Sequence, residues 1–287
     1  MDVLYAQKRR VRSPVGAGMF YPDNKAEIHK LLNSYGLPAY KDTLELKIKS
    51  KSNCAKAIIA PHGAWAYSGA LAASAFSSAI GRNGSIKKVV ILGPIHDKRE
   101  KGIFLSNSYS FHTPLGNILV NKKMTEKFEN TYDSLEINDI PHLSEHSIEI
   151  LLPFVKYCFP NASIVPILMG QPGAQYIFDL ARALKTVVTP EFNETLIVVS
   201  CNLSCDKDEK TARLSADECL KLFTEKNAAV LAAAVLEGRL NACGAALVVS
   251  LFESGLLDSC SCTSVGELVS AVSTENNIVH YSSLSFQ

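Results

Sequence analysis

The sequence predicts an α/β fold: one domain over residues 1–287, with a largely parallel or mixed central sheet covered by helices on both faces. Three observations carry this expectation. Short runs rich in Ile and Val alternate with helical patterns along the chain. Those runs are apolar at successive positions, as strands buried on both faces are. No repeat, low-complexity tract or charge block divides the sequence. Strand, helix and strand in succession imply right-handed crossovers, which place helices on both sides of the sheet.

Taken in order, a helical pattern covers 24–32, and Ala-Ile-Ile-Ala at 57–60 is the first buried strand. A helix over 68–80 and a strand over 88–92 follow. Further on come a helix at 145–157, a strand at 163–168, a helix at 174–187 and a strand at 195–200. Helical patterns then fill 212–224, 228–236 and 243–254. The alternating tail at 278–286 reads as a late, antiparallel strand. The stretch 41–53, with Lys41, Lys47, Lys49 and Lys51, reads as a solvated connection.

Composition narrows the function classes. With 47% hydrophobic and 20% charged residues, the chain is globular rather than disordered. Lys and Arg number 29 against 28 Asp and Glu, a net charge of +1, so no global field gathers nucleic acid or an anionic membrane. The longest apolar stretches, 228–236 and 245–252, fall far below the roughly 18–20 residues of a membrane span. Lys8, Arg9, Arg10 and Arg12 lead into Ser13, Pro14 and Gly16 rather than the apolar region of a signal peptide, so a cytoplasmic protein is expected. Eight cysteines without a Cys-x-x-Cys pair argue against structural zinc and read mostly as small buried hydrophobes.

Ligands of open α/β sheets sit beyond the carboxyl ends of the strands. The first strand runs into Pro61-His62-Gly63-Ala64-Trp65, an imidazole just past an apolar run, and the second repeats the arrangement with Gly93-Pro94-Ile95-His96. One histidine so placed commonly serves as a hydrogen-bonding group; two at equivalent ends point to a shared site. The fourth strand opens into Ser200-Cys201-Asn202-Leu203-Ser204-Cys205, small polar and thiol residues able to supply a ligand or support one. Cys243 precedes an apolar helix, whose N-terminus favours thiolate. Two imidazoles and a thiolate suit one transition metal such as iron, copper or zinc. By residue type alone, His62, His96 and Cys243 fit such a centre and also fit separate structural roles. Ser144-Glu145-His146-Ser147-Ile148-Glu149 is another polar cluster, and it also reads as an imperfect capping box.

Seven segments in order resemble the Memo family, named for a mediator of cell motility and including AmmeMemoRadiSam system protein B. They are Arg12-Ser-Pro-Val-Gly-Ala-Gly-Met-Phe-Tyr-Pro22, Ile58-Ile-Ala-Pro-His62, Val90-Ile-Leu-Gly-Pro-Ile-His96, Glu145-His-Ser-Ile-Glu149, Val165-Pro-Ile-Leu-Met-Gly170, Val198-Val-Ser200 and Cys243-Gly244. The resemblance spans nearly the whole chain. It implies the single-domain fold of class III extradiol (LigB-like) dioxygenases, which are non-haem iron enzymes. It implies a pocket in which His62, His96 and Cys243 bind metal, with Glu145, His146, Asn202 and Cys205 around them. A small-molecule, peptide or phosphopeptide ligand and protein partners are the partners expected; no nucleotide cofactor and no nucleic acid are.

The departures from the family bear on its chemistry. Where the family usually follows its first histidine with Ala-Gly-Tyr, this chain has Gly63-Ala64-Trp65, and a second histidine after His96 is replaced by Asp97. The family's Ser-Ser-Asp, with a histidine three residues on, is here Ser200-Cys201-Asn202 and Cys205, and the Arg that often follows Cys-Gly is Ala245. Asn202 offers a neutral oxygen in place of a charged one. A thiol at Cys205 poorly replaces the histidine that handles a substrate's hydroxyl proton. As a soft ligand beside Cys243, Cys205 would favour zinc or copper(I) over iron(II). The expectation is a metal- or ligand-binding pocket without extradiol ring cleavage. Two other readings stand beside it: an active non-haem iron oxygenase, and a metal-free scaffold with Trp65, Tyr67 and Phe111 as aromatic anchors at the pocket rim.

Overall fold

Strands that are apolar on both faces demand cover on both faces, and the computed structural model shows how this chain supplies it. The structure describes residues 10–37, 54–82, 84–273 and 276–287. The lysine-bearing stretch 41–53 lies outside them. In chain order come β1 (Val11–Arg12), α1 (Lys25–Ser34), β2 (Ala57–Ala60), α2 (Trp65–Ala79), β3 (Lys88–Pro94), β4 (Ile103–Leu105), β5 (Ser110–Phe111) and β6 (Ile118–Leu119). Then follow α3 (Lys122–Glu129), β7 (Leu135–Ile137), α4 (Ile140–Ser144), α5 (Leu152–Cys158), β8 (Ser163–Met169), α6 (Ala174–Val188), β9 (Thr195–Ser200) and β10 (Ser204–Asp206). The last elements are α7 (Glu209–Glu225), α8 (Ala228–Leu236), α9 (Ala245–Glu253), β11 (Cys262–Val272) and β12 (Ile278–Phe286).

The central sheet is mixed. Its middle, in the order β2-β9-β3-β8, is parallel throughout, while β4 and β12 run antiparallel on the two flanks. Ala57 and Ile59 face one apolar core and Ile58 and Ala60 the other, the period-two alternation of a strand. The first core gathers Ile177 and Leu184 of α6, Phe223 of α7 and Leu247 and Leu251 of α9. The second gathers Ile28 and Leu32 of α1, Phe76 of α2 and Phe154 of α5. The fold is thus one α/β domain with helices on both faces, as the alternating runs imply.

The structure adds what the apolar runs do not reveal. A separate three-stranded sheet, β1-β5-β6, is made of two-residue strands. The helix expected at 145–157 begins only at Leu152, after a 3₁₀ turn over Glu149–Leu151, because Glu145 turns inward instead of capping. The last core helix begins at Ala245 rather than at Cys243. Gly244 takes φ +103 there, and a Cβ on it would lie 2.5 Å from the Ser200 carbonyl oxygen, so only glycine lets this loop approach β9. Cys158, Cys201, Cys219 and Cys260 are buried in the cores, and burial pushes the Cys219 thiol up to about 12. Among the described residues, no helix is long and apolar enough to cross a membrane.

Candidate functional site

The parallel strands deliver their polar ends to one side of the sheet. The β2/β9 register pairs Ala60 with Ser200, and β3 lies beside β9, so His62, Ser200, Asn202 and His96 follow neighbouring strand ends. Gly244 brings Cys243 against the same edge, where its carbonyl accepts the Asn202 backbone N–H at 3.1 Å. The imidazole nitrogens of His62 and His96 and the Cys243 sulfur all lie within 4.8 Å of one another, and Cys243 Sγ is 3.3 Å from His62 Nε2. The His62 and His96 rings meet edge to face, centroids 5.2 Å apart.

Each imidazole is held by its far nitrogen. Ser200 Oγ donates to the Ser147 carbonyl at 2.7 Å, so its single proton is committed. It can therefore only accept from His62, whose Nδ1 is 2.8 Å away. The tautomer this arrangement selects carries its proton on Nδ1 and turns Nε2 towards Cys243. Ser147 Oγ donates in turn to the Pro94 carbonyl at 2.7 Å, and Asn202 Oδ1 accepts the His62 backbone N–H at 3.0 Å.

His96 is held by Glu145. Oε1 lies 3.0 Å from His96 Nδ1 and accepts the backbone N–H groups of His146 at 2.8 Å and Ser147 at 2.7 Å; Oε2 accepts the His96 backbone N–H at 2.7 Å. Burial alone would raise the Glu145 pKa, but the His96 hydrogen bond and the neighbouring imidazoles outweigh it and hold the carboxyl below its ordinary range. These bonds explain why Glu145 is not at a helix start: it folds the 145–147 loop around itself. Glu145, His96 and His146 also have ligand atoms within 4.8 Å, but the carboxylate is fully engaged and serves better as the partner of a metal-binding His96 than as a ligand.

The charges organise around the thiol. Burial disfavours the Cys243 thiolate, and His62 and His96 overcome it, bringing the thiol down to about 5. His96 is the counterpart: burial opposes its charge, and the Cys243 sulfur and Glu145 raise it to about 10. His146 behaves otherwise. Burial, aided by the two neighbouring imidazoles, lowers it to about 4 against the pull of Glu145, so it is neutral at pH 7. Its ring stacks between His96, at 4.7 Å, and Phe20, at 4.6 Å.

The other candidate residues are distributed unevenly. Asn202 is buried beside His62 and Cys243. Cys205 is exposed on β10, outside the donor group, because the chain leaves β9 at Cys201 and pairs with β12 at the sheet flank. Trp65 and Phe111 are core residues, Trp65 against Phe154 and Phe111 beneath the Arg12 guanidinium, which leaves Tyr67 as the exposed aromatic of the three.

Sequence reasoning assigns no role to the pairing of Arg12 with Glu149. Both are buried and joined by an ion pair. Arg12 also donates to the carbonyls of His142 and Glu145, at 2.8 and 2.7 Å. Glu149 accepts from the backbone N–H groups of Val15 and Gly16 and from the Tyr21 hydroxyl, at 2.8, 2.7 and 2.9 Å. The pair pins the segment carrying Phe20 to the loop carrying Glu145 and His146. Its only sequence signal is that both residues lie in segments resembling the family.

The donor set fits a metal ion. Donors sharing one tetrahedral ion at bond lengths of about 2.0–2.3 Å stand about 3.3–3.8 Å apart; Cys243 and His62 meet that spacing at 3.3 Å, and the His96 donor lies within 4.8 Å of both.

Comparison with known proteins agrees with the architecture. A family model described as "Memo-like protein" matches residues 12–282. A MEMO1 family protein of Thermotoga neapolitana is 30% identical over 247 residues, covering 85% of this chain and 88% of the relative. One from Thermotoga maritima is 31% identical, covering 70% and 72%, and one from Methanobrevibacter smithii is 29% identical, covering 68% and 69%. With the family pattern running from the β1 arginine to the final strand, the chain belongs to the Memo family.

Proposed function

We propose that this protein binds one transition-metal ion through His62 Nε2, His96 Nε2 and the Cys243 thiolate, and that the pocket acts on or recognises a small-molecule or peptide ligand without extradiol ring cleavage. The observation that carries the reading is the tethering. Both imidazoles are fixed through Nδ1, by Ser200 and Glu145, so that two ring nitrogens converge on a thiol already biased to thiolate. Carboxylate or serine partners of this kind orient metal-binding histidines and raise their basicity. Two imidazoles and a thiolate suit copper or zinc better than the two-histidine, one-carboxylate set of non-haem iron oxygenases.

When bound, such an ion supplies Lewis acidity or, if copper, one-electron redox chemistry. The chain's own residues hold the ligands in place: Ser200 and Glu145 orient the two imidazoles, and the Phe20–His146 stack packs beside His96. Metal analysis by mass spectrometry tests the reading. One equivalent per chain is expected after anaerobic reconstitution, lost in Cys243→Ser and His62→Ala; a wild-type protein that retains no metal would overturn it.

The second reading is an iron oxygenase in which neutral His146, beside His96, handles the substrate proton. It predicts oxygen uptake by the iron(II)-loaded protein with catechols, dependent on His146. We expect none, because general acid–base assistance is worth about 10²–10⁴-fold and Cys205, where the family carries a histidine, is an exposed thiol outside the donor group.

A further inference from the structure

A cavity of about 240 Å³ opens onto the face of the site formed by His96 and Cys243. Its floor is the carboxyl ends of β3 and β8, including Met169. Its wall is Val235 and Leu240 at the end of α8 and beyond it, with Leu247 of α9. Val235 and Leu240 remain partly exposed, so apolar side chains are presented to whatever enters. The volume is below the roughly 300 Å³ at which sites for drug-sized ligands begin.

Lys98 is the lysine that lines the mouth, and no Asp or Glu is among the lining residues; the inner end is lined by His96 and Cys243. The nearest acid in sequence, Asp97, is held by Arg99 at 2.6 Å, and Lys98 has no ion-pair partner among the described residues. Apolar walls at Met169, Leu240 and Leu247, with the ammonium of Lys98 at the rim, suit an apolar body joined to one anionic head.

We infer that this cavity binds a small amphipathic monocarboxylate, its apolar body between Met169, Leu240 and Leu247 and its carboxylate at Lys98. The body then lies against His96 and Cys243. The inference deepens the metal-centre reading and rests on it only for what the ligand meets.

Binding is measured by calorimetry on the metal-free, full-length protein with cyclohexanecarboxylate, the uncharged cyclohexanecarboxamide, the cationic cyclohexylmethanamine, and acetate. The carboxylate is expected to bind about three- to fivefold tighter than the amide, the range of a solvated ion pair, and more than tenfold tighter than acetate. Lys98→Gln, at an exposed position, brings carboxylate and amide within about twofold. Ala242→Leu, which fills the mouth at a partly exposed position, weakens both more than tenfold. Equal binding of the carboxylate and the amide, tighter binding of the amine, binding of acetate equal to that of the ring acid, or no binding at millimolar ring acid would each overturn the inference.

The cobalt(II)-loaded protein separates the two readings. A change in its thiolate-to-cobalt absorption on adding the ring acid supports contact with the centre, and an unchanged spectrum with the acid bound refutes that contact. Failure to load cobalt sinks the metal reading, and the metal-free titration then decides by itself whether the cavity takes the acid.

Discussion

The Arg12–Glu149 pair is the place where one substitution should be felt across the site. Arg12→Met leaves the Glu149 carboxylate buried, and breaking a buried pair this way costs about 3–5 kcal/mol. Three other donors, Val15, Gly16 and Tyr21, still reach that carboxylate and set the cost near the lower end, about 3 kcal/mol. The change also strips the His142 and Glu145 carbonyls of their donor, adding about 1 kcal/mol each. The sum is about 5 kcal/mol. Trp65 is the sole tryptophan, is buried, and donates through Nε1 to the Ile150 carbonyl next to Glu149, so its fluorescence reports the region. With a urea m-value of about 3 kcal/mol/M, the midpoint falls by about 1.7 M. Glu149→Gln, which keeps the shape, should fall by about 1 M. Replacing both residues by methionine should not restore stability, because the Val15 and Gly16 N–H groups and the Tyr21 hydroxyl lose their acceptor. A shift below about 0.3 M for Arg12→Met would refute the view that this pair holds the two segments together.

Three further outcomes follow from the geometry. Ser200→Ala removes the acceptor of His62 Nδ1 and should weaken metal binding about 10–100-fold in a competition titration, with the fold intact by circular dichroism. Gly244→Ala forces a side chain into a φ of +103 and against the β9 backbone, so thermal unfolding should show a loss of at least about 2 kcal/mol. His142 is buried, its Nε2 3.0 Å from the Phe104 carbonyl, and burial lowers its pKa to about 4 from an unfolded value near 6.5. The unfolded chain therefore binds the extra proton first: stability is full above pH 6.5 and drains as pH falls towards 4, by about 2 kcal/mol between pH 7 and 5. His142→Phe should flatten that part of the stability profile measured by urea unfolding, and an unchanged slope would count against the assignment.

Legibility in the sequence depends on where the physics is local. The four parallel strands are short apolar runs whose burial on both faces is written in consecutive residues, so they and the histidines after two of them can be placed. β11 cannot. It is a flank strand with register shifts near Gly266, and Thr, Ser and Gly dilute its pattern. The late start of the 145–157 helix is hidden because Glu145 satisfies backbone donors from a loop, a tertiary role that its neighbours in sequence do not announce. Cys205 has the spacing of a pocket residue but follows the chain to the sheet flank. Arg12 and Glu149 stand 137 residues apart, and nothing local links them.

The run of hydroxyls behind His62 has a directional character. The Ser200 and Ser147 protons are both given to carbonyls, of Ser147 and Pro94, so the chain of donors points one way and has no equivalent reversed arrangement. Shifting the His62 proton from Nδ1 to Nε2 would leave Nδ1 facing a hydroxyl with nothing left to donate. The ring is thereby denied the low-energy exchange between tautomers that most histidines enjoy. A metal ion arriving beside the Cys243 sulfur therefore meets a ring already set with Nε2 towards it, and no tautomer has to rearrange to make room.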